Sequence, residues 1–302
     1  MRPRSVQVTE VGMRDGFQME SRILPTERKE AIGLALIAAG VRHIEVSSFV
    51  SPAAVPQLAD AAALVGRLKG KGAELSALVP NVNGARRGVA AGIDRLTVFA
   101  SASETHNQKN VRRSVAESLA GMGEIGRIAA DAGVPIDGSV ATAFGCPFEG
   151  EVSADAVLRV VEGYAAMGAD RIGLGDTTGM ATPRVVEGVV TAIRARFPGL
   201  SIGLHFHNTR GIGLVNVMTG LDLGVTRYDA SIGGLGGCPF AVGATGNIST
   251  EDLVYLLDEL GVETGIDLPR LIGVAHDVQA AFARELPGQV MKAGPRLARA
   301  PE

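Results

Sequence analysis

The chain has no tryptophan, only 4% aromatic residues, and two cysteines, Cys146 and Cys238. Two distant cysteines do not make the disulfide framework of a small secreted domain, so a reducing, cytoplasmic setting is expected. An excess of charge of one sign is missing too: 29 basic against 32 acidic side chains leave a net charge of −3. That excludes the basic face with which a nucleic-acid binder meets phosphates. No run approaches 18 apolar residues, and Met1–Glu10 lacks the apolar stretch of a signal peptide, so no membrane partner is expected.

What is abundant is glycine, 40 of 302 residues, nearly twice the typical ~7%. Apolar residues make up 46%, enough for a large core. Glycine at this level is either low-complexity filler or backbone that turns tightly and approaches ligands closely. Its position relative to the hydrophobic pattern separates the two.

That pattern alternates between two kinds of segment. Short β-rich runs stand at Val6–Val11, His43–Val46, Glu74–Val79, Arg95–Phe99, Pro135–Ala141, Arg171–Gly175, Ser201–His207 and Arg227–Ile232. Helical periodicity fills Thr26–Ala39, Ala53–Leu68, Gly84–Ala91, Ser114–Ala132, Ala154–Met167, Pro183–Phe197, Gly211–Leu223 and Thr250–Leu260. Eight strand–helix units repeating about every 30 residues predict an α/β fold, a (β/α)8 TIM barrel. Leu268–Arg284 reads as one more helix, and the last residues, with Lys292, Arg296 and Arg299, as a solvated tail. No composition shift marks a boundary. Residues 1–302 therefore read as one catalytic domain, with a C-terminal helical extension from about residue 262. Gly40, Gly92, Gly133, Gly168 and Gly224 sit just past helix ends, where a left-handed residue is wanted. Pro25-Thr26, Thr182-Pro183 and a capping-box-like Ser249…Asp252 open helices.

A barrel of this kind carries its chemistry at the C-terminal ends of the strands. Standing there are Arg14 and Asp15, Glu45, Asp176, His205 and His207, and a loop Gly233–Phe240 that contains Cys238. Residues i and i+2 of a strand face the same way, so His205 and His207 project together. Two such imidazoles suit a divalent metal; the alternative is a pair of core histidines. Asp15 and Asn247 can add oxygen ligands because the first and last strands of a barrel are neighbours; an aspartate turn and an Asx turn are the alternatives. Nitrogen and oxygen donors without a thiolate suit Mg²⁺ or Mn²⁺ better than a closed zinc site. Arg14 can clamp a carboxylate or an enolate, or lie at the surface rim. Glu45, in an otherwise apolar strand, needs a partner: it orients Arg14 or a metal-bound water, or forms a structural ion pair. The glycine-rich loop can close over a substrate and present the Cys238 thiol as an acid or base. A second Gly-Cys-Pro-Phe at Gly145–Phe148 weakens the tetrapeptide as a signal, and Cys146 reads as packing. His43, His106 and His276 stand alone and read as structural.

The segment Glu10–Gln18 resembles the arginine–aspartate–glycine signature of metal-dependent barrels that make or break C–C bonds beside a thioester or keto acid. These are the 3-hydroxy-3-methylglutaryl-CoA lyases, the isopropylmalate and homocitrate synthases, and related aldolases. The chain resembles the lyase branch through Ser47–Pro56, Gly145–Gly150, Gly173–Thr178, Gly233–Asn247 and Glu251–Tyr255. Where the synthases carry a glycine–glutamate–arginine loop after the eighth strand, this chain has Cys238, as the lyases do.

The resemblance implies metal ligands Asp15, His205, His207 and Asn247. It implies Arg14 on the enolate, Cys238 as acid/base, and Glu45 and Asp176 in support; Arg14, Gln18, Asn110 and Arg210 are the expected substrate contacts. The implied reaction is a retro-Claisen cleavage, with a divalent ion (Mg²⁺ or Mn²⁺) activating the 3-hydroxyl. The products are acetyl-CoA and acetoacetate, as in leucine degradation. No organic cofactor is expected, since CoA belongs to the acyl-CoA substrate, and the family suggests a homodimer. Asn208-Thr209-Arg210 stands where the best-known lyases have aspartate, threonine and tyrosine, and Met13, Phe17 and Met19 replace the usual proline, leucine and asparagine. These departures are expected to alter the acyl portion and keep the reaction type, with citramalyl-CoA as the alternative substrate. A condensing synthase is the less favoured reading.

Overall fold

The computed structural model describes residues 2–237 and 246–297. Cys238 and Arg299 lie outside the described residues. Eight parallel strands pair in chain order and close on themselves: β1 (Gln7–Glu10), β2 (His43–Ser48), β3 (Glu74–Leu78), β4 (Arg95–Ser101), β5 (Ile136–Ala141), β6 (Arg171–Asp176), β7 (Ser201–Phe206) and β8 (Arg227–Ala230). Closure comes from β1 and β8, with Gln7 opposite Arg227 and Glu10 opposite Ala230. The helices are α1 (Thr26–Ala38), α2 (Ala61–Leu68), α3 (Val82–Ala90), α4 (Glu104–Val111), α5 (Val115–Ala132), α6 (Ala154–Ala166), α7 (Pro183–Arg196), α8 (Gly213–Asp222), α9 (Thr250–Glu259), α10 (Leu268–Phe282) and α11 (Val290–Ala293). This is the (β/α)8 barrel with a C-terminal helical extension.

Between strands and helices lies the core, where Leu36, Leu64, Leu68, Ile172 and Val190 are wholly buried. Gly138 in β5 shows why some strand positions need glycine. A Cβ there would stand 2.3 Å from the ring of Tyr164 on α6, whose hydroxyl donates to the Ser139 carbonyl at 2.7 Å. The five glycines expected at helix ends all have positive φ, from 65° at Gly133 to 100° at Gly40.

Several elements differ from expectation, each for a local reason. Ala53–Leu68 is not one helix: Pro56 opens a separate turn over Pro56–Leu58, and α2 begins only at Ala61. A proline lacks the N–H that a continuous helix would need there. α3 starts earlier than Gly84, because Asn81 caps it by accepting from the Gly84 N–H. α4 has almost no apolar residue to give a periodic signal and is held by its Ser103 cap. At Ser249 the expected capping box is half made. Its hydroxyl accepts from the Asp252 N–H, but Asp252 turns away to accept from the N–H groups of Gln289 and Val290. The reciprocal box is at Ser114 and Glu117, opening α5.

Of the expected tail, Lys292 and Arg296 are exposed as anticipated, but the segment is not free of the barrel. Leu286 and Met291 are buried, Lys292 lies on α11, and Arg296 pairs with Glu259. Arg284 pairs with Glu20, and the Gly288 N–H donates to the Gly233 carbonyl. The segment after α10 therefore packs under the turn that follows β8.

Candidate active site

The C-terminal mouth of the barrel collects the expected side chains. β1 runs into one wide turn, Gly12–Gly16, which swings Arg14 and Asp15 over the opening. β7 delivers His205, and His207 bridges to Asn247 just beyond it. The two imidazoles lie side by side, ring centroids 5.2 Å apart, as the two-residue strand period requires. Asn247 Nδ2 donates to Asp15 Oδ2 at 2.7 Å and to the Leu235 carbonyl at 3.0 Å. Barrel closure thus joins residues 232 positions apart in the chain.

Ligand atoms of Asp15, His205 and His207 all lie within 4.8 Å of one another. His207 Nδ1 and Asn247 Oδ1 are buried without a hydrogen-bond partner. Buried polar atoms left unpaired are costly; the unpaired Asn247 Oδ1, on an amide bonded to Asp15, together with His207 Nε2 at 3.9 Å from Asp15 Oδ2 and the second imidazole, fits a bound cation. The residues present therefore fit a divalent metal. Gly236 is part of this arrangement: a Cβ on it would stand 2.5 Å from Asn247 Nδ2. Only a glycine allows the loop to pass so close, at a φ of 118°.

Electrostatics set the charge states of these side chains. Burial alone would push Asp15 up, but Arg14, His205 and His207 outweigh it and bring its pKa to about 2. His207 is pushed down to about 4 by burial and by His205, so at neutral pH it is uncharged. For His205, burial is outweighed by Asp229, whose Oδ2 lies 3.3 Å from Nδ1 and raises the pKa. That contact leaves Nε2 as the nitrogen facing away from Asp229. A carboxylate behind a ligating imidazole fixes its orientation and basicity.

Arg14 is held between two carboxylates. Its Nε donates to Glu45 Oε2 and its Nη1 to Asp15 Oδ1, both at 2.5 Å. Glu45 is thus paired with Arg14, which fits its expected part in orienting that guanidinium or in a structural ion pair. Gln18 donates to Asp15 Oδ1 at 3.2 Å. Asp176, at the end of β6, accepts from the N–H groups of Met180 and Ala181 on Oδ1, while its buried Oδ2 has no partner. Burial pushes this carboxyl up to about 6.

Other expected contacts lie further out. Asn110 is exposed on the last turn of α4, next to Lys109, whose ammonium stacks over the Phe148 ring. Arg210 gives its Nη1 to the carbonyls of Thr178 and Gly179 after β6. Asn208 Oδ1 accepts from the Gly213 N–H at the start of α8. Cys146 is buried against Ser103, as packing requires.

Sequence reasoning missed two buried carboxylates below the site. Glu10 accepts from Gly12 and Ile232 N–H groups on one oxygen and from the Thr250 hydroxyl on the other. It thereby ties the turn carrying Arg14 and Asp15 to the turn after β8. Glu251 accepts from the Gly233 N–H and the Ser249 hydroxyl. The rule that singled out Glu45, an acid in an apolar strand, applies equally to Glu10. Asp229, the partner of His205, was missed as well.

Comparison with known proteins agrees with this geometry. The HMGL-like family model matches residues 5–278. The chain is 41% identical over 288 residues to the hydroxymethylglutaryl-CoA lyase YngG of Bacillus subtilis, covering 95% of this chain and 96% of the relative. It is 40% identical over 296 residues to the mitochondrial hydroxymethylglutaryl-CoA lyase of Bos taurus, covering 98% and 91%. An HMG-CoA lyase from Acinetobacter baumannii, solved with coenzyme A and 3-methylmalate, superposes with a TM-score of 0.93 at 42% identity, covering 99% of this chain and 98% of that one. With its fold, its site and its similarity all extending over nearly the whole chain, this protein belongs to the hydroxymethylglutaryl-CoA lyase family.

Proposed function

We propose that this chain cleaves 3-hydroxy-3-methylglutaryl-CoA to acetyl-CoA and acetoacetate by a metal-dependent retro-Claisen reaction. The observation that carries the reading is the cluster of Asp15, His205, His207 and Asn247 beside a carboxylate-held Arg14, in a chain of this family. Mg²⁺ or Mn²⁺ held by those four residues would supply Lewis acidity that lowers the pKa of the substrate hydroxyl.

The chain's own groups then divide the work. Asp176 Oδ2, unpartnered and with a pKa near 6, takes the proton of the 3-hydroxyl. The hydroxyl oxygen becomes a ketone as the C2–C3 electron pair moves onto the thioester carbonyl. Arg14 faces the resulting enolate oxygen; Glu45 and Asp15 fix its guanidinium beforehand, so little reorganisation is needed as charge develops. Cys238 returns a proton to C2 and completes acetyl-CoA. A homodimer working in leucine breakdown accompanies this reading on the family resemblance alone. Among the described residues no helix is long and apolar enough to cross a membrane.

A second reading, a lyase for citramalyl-CoA or another 3-hydroxyacyl-CoA, rests on Asn208 and Arg210. Both side chains are engaged with backbone groups, one at the start of α8 and one on the β6 loop, which favours the methylglutaryl substrate. Assaying 3-hydroxy-3-methylglutaryl-, citramalyl- and 3-methylmalyl-CoA with Mg²⁺ or Mn²⁺ tests it. The first should be cleaved fastest, and Cys238→Ala should lower its turnover by about 10²-fold or more while the protein stays folded. Preference for another thioester would move the assignment to the second reading. Release of no short acyl-CoA from any of them would overturn both.

A further inference from the structure

At the opposite mouth of the barrel, the strand starts frame a second cavity, about 610 Å³ in volume. Gln7, His43, Arg171, Ser201 and Arg227, the first residues of β1, β2, β6, β7 and β8, all line it. Arg42 joins them at the rim. Every ionisable side chain on this lining is an arginine or a histidine; no carboxylate is among them. That is unusual in a chain whose net charge is −3. The hydroxyl-bearing residues Ser5, Ser201, Thr226 and Thr264 add donors.

The acidic partners stand behind the lining and are already shared. Glu74 receives both Arg171 Nη1, at 2.9 Å, and His43 Nδ1, at 3.3 Å. Asp170 pairs with Arg95 at 2.7 Å, and Asp137 is shared between Arg95, at 3.0 Å, and Arg227. Arg227 is left short. Its Nη1 reaches the Ser201 carbonyl only at 3.5 Å, its Nη2 is 3.7 Å from Asp137, and its Nε is buried with no partner. A nearly buried guanidinium whose nearest carboxylate is shared with Arg95, facing a second guanidinium across a cavity, keeps an unsatisfied donor and is only loosely neutralised.

We propose that this N-terminal mouth is a binding site for a small oxyanion, a phosphate or a carboxylate, held by Arg227 and Arg171 with Arg42, His43 and Gln7 around it. Guanidinium groups recognise such anions through paired, charge-assisted hydrogen bonds. The volume exceeds that of a single phosphate and accommodates a small organic polyanion. By bridging the starts of strands on both sides of the β1–β8 seam, the anion stabilises the barrel. It does so at the mouth opposite the proposed metal ligands, with Asp229 two residues along β8 from Arg227.

The test is a titration of the metal-loaded protein with inorganic phosphate or succinate replacing chloride at constant ionic strength, read by melting temperature and by calorimetry. A saturable rise in Tm is expected with at least one of the two, and which one responds distinguishes phosphate from carboxylate as the source. Arg171→Gln and Arg42→Gln should weaken the response by about tenfold or more and several-fold, respectively, with Mn²⁺ binding at the far mouth retained. Arg227→Gln should abolish it; should that variant fail to fold, the other two carry the test. No saturable response in the unmodified protein, or an undiminished one in Arg171→Gln and Arg42→Gln, overturns the proposal.

Discussion

Asp229 makes the sharpest residue-level case, because it touches His205 and none of the other ligands. If it orients that imidazole for a metal, Asp229→Asn should weaken Mn²⁺ binding by about 10–100-fold in calorimetry, with folding intact. His205→Ala should weaken it further, and binding unaffected by either change would remove the metal centre from this position. The meeting of these four side chains was legible in the sequence: the two-residue strand period paired the histidines, and barrel closure made neighbours of Asp15 and Asn247. Their supports were less so. Asp229 faces His205 only through the register of β7 against β8, and Glu251 meets Gly233 only because the chain folds back after β8. Such contacts depend on tertiary placement, which no local spacing encodes.

Among the elements, the segment following α10 has the clearest mechanical role. Leu286 lies against Gly233 so closely that a Cβ on that glycine would come within 2.4 Å of it. Nearby, the Gly288 N–H donates to the Gly233 carbonyl, and Asp252 accepts from Gln289 and Val290. These contacts brace the turn from which the loop carrying Cys238 departs. Leu286→Ala should cost about 2–5 kcal/mol of stability and speed amide hydrogen exchange in residues 230–237. Unchanged exchange there would mean the segment is packing without bracing. The strand–helix alternation was readable because each element buries one face and so repeats its apolar residues at 2 or 3.6 positions. What escaped lacked that pattern. α4 is polar, its buried members being His106 and Asn107, and the tail docks through only a few apolar side chains.

For the whole molecule, the two buried carboxylates at the β1–β8 seam make stability depend on pH. Burial raises Glu10 to about 7, against its three hydrogen bonds. It raises Glu251 to about 8, with Glu10 adding repulsion. In the unfolded chain both ionise near the ordinary carboxylate value of about 4.3. Between that value and the folded one, the native state binds more protons than the unfolded state, so stability falls as pH rises. The contribution is therefore complete below about pH 4.3 and lost by about pH 8. Asp137 and Asp176, raised to about 6, contribute in the same direction but finish lower. His207, lowered to about 4, and Asp15, lowered to about 2, act oppositely and only in acid. Between pH 6.5 and 8.5 the slope thus belongs to the glutamate pair together with His205, whose raised pKa acts in the same direction. Each proton of difference is worth ~1.4 kcal/mol per pH unit. Denaturant unfolding across that range should show stability declining with pH, and Glu251→Gln should flatten the decline by about half or more. A decline as steep in that variant would locate the titrating group elsewhere, and the Glu10–Glu251 pair would then be a charged, fully hydrogen-bonded clamp at every pH where the protein works.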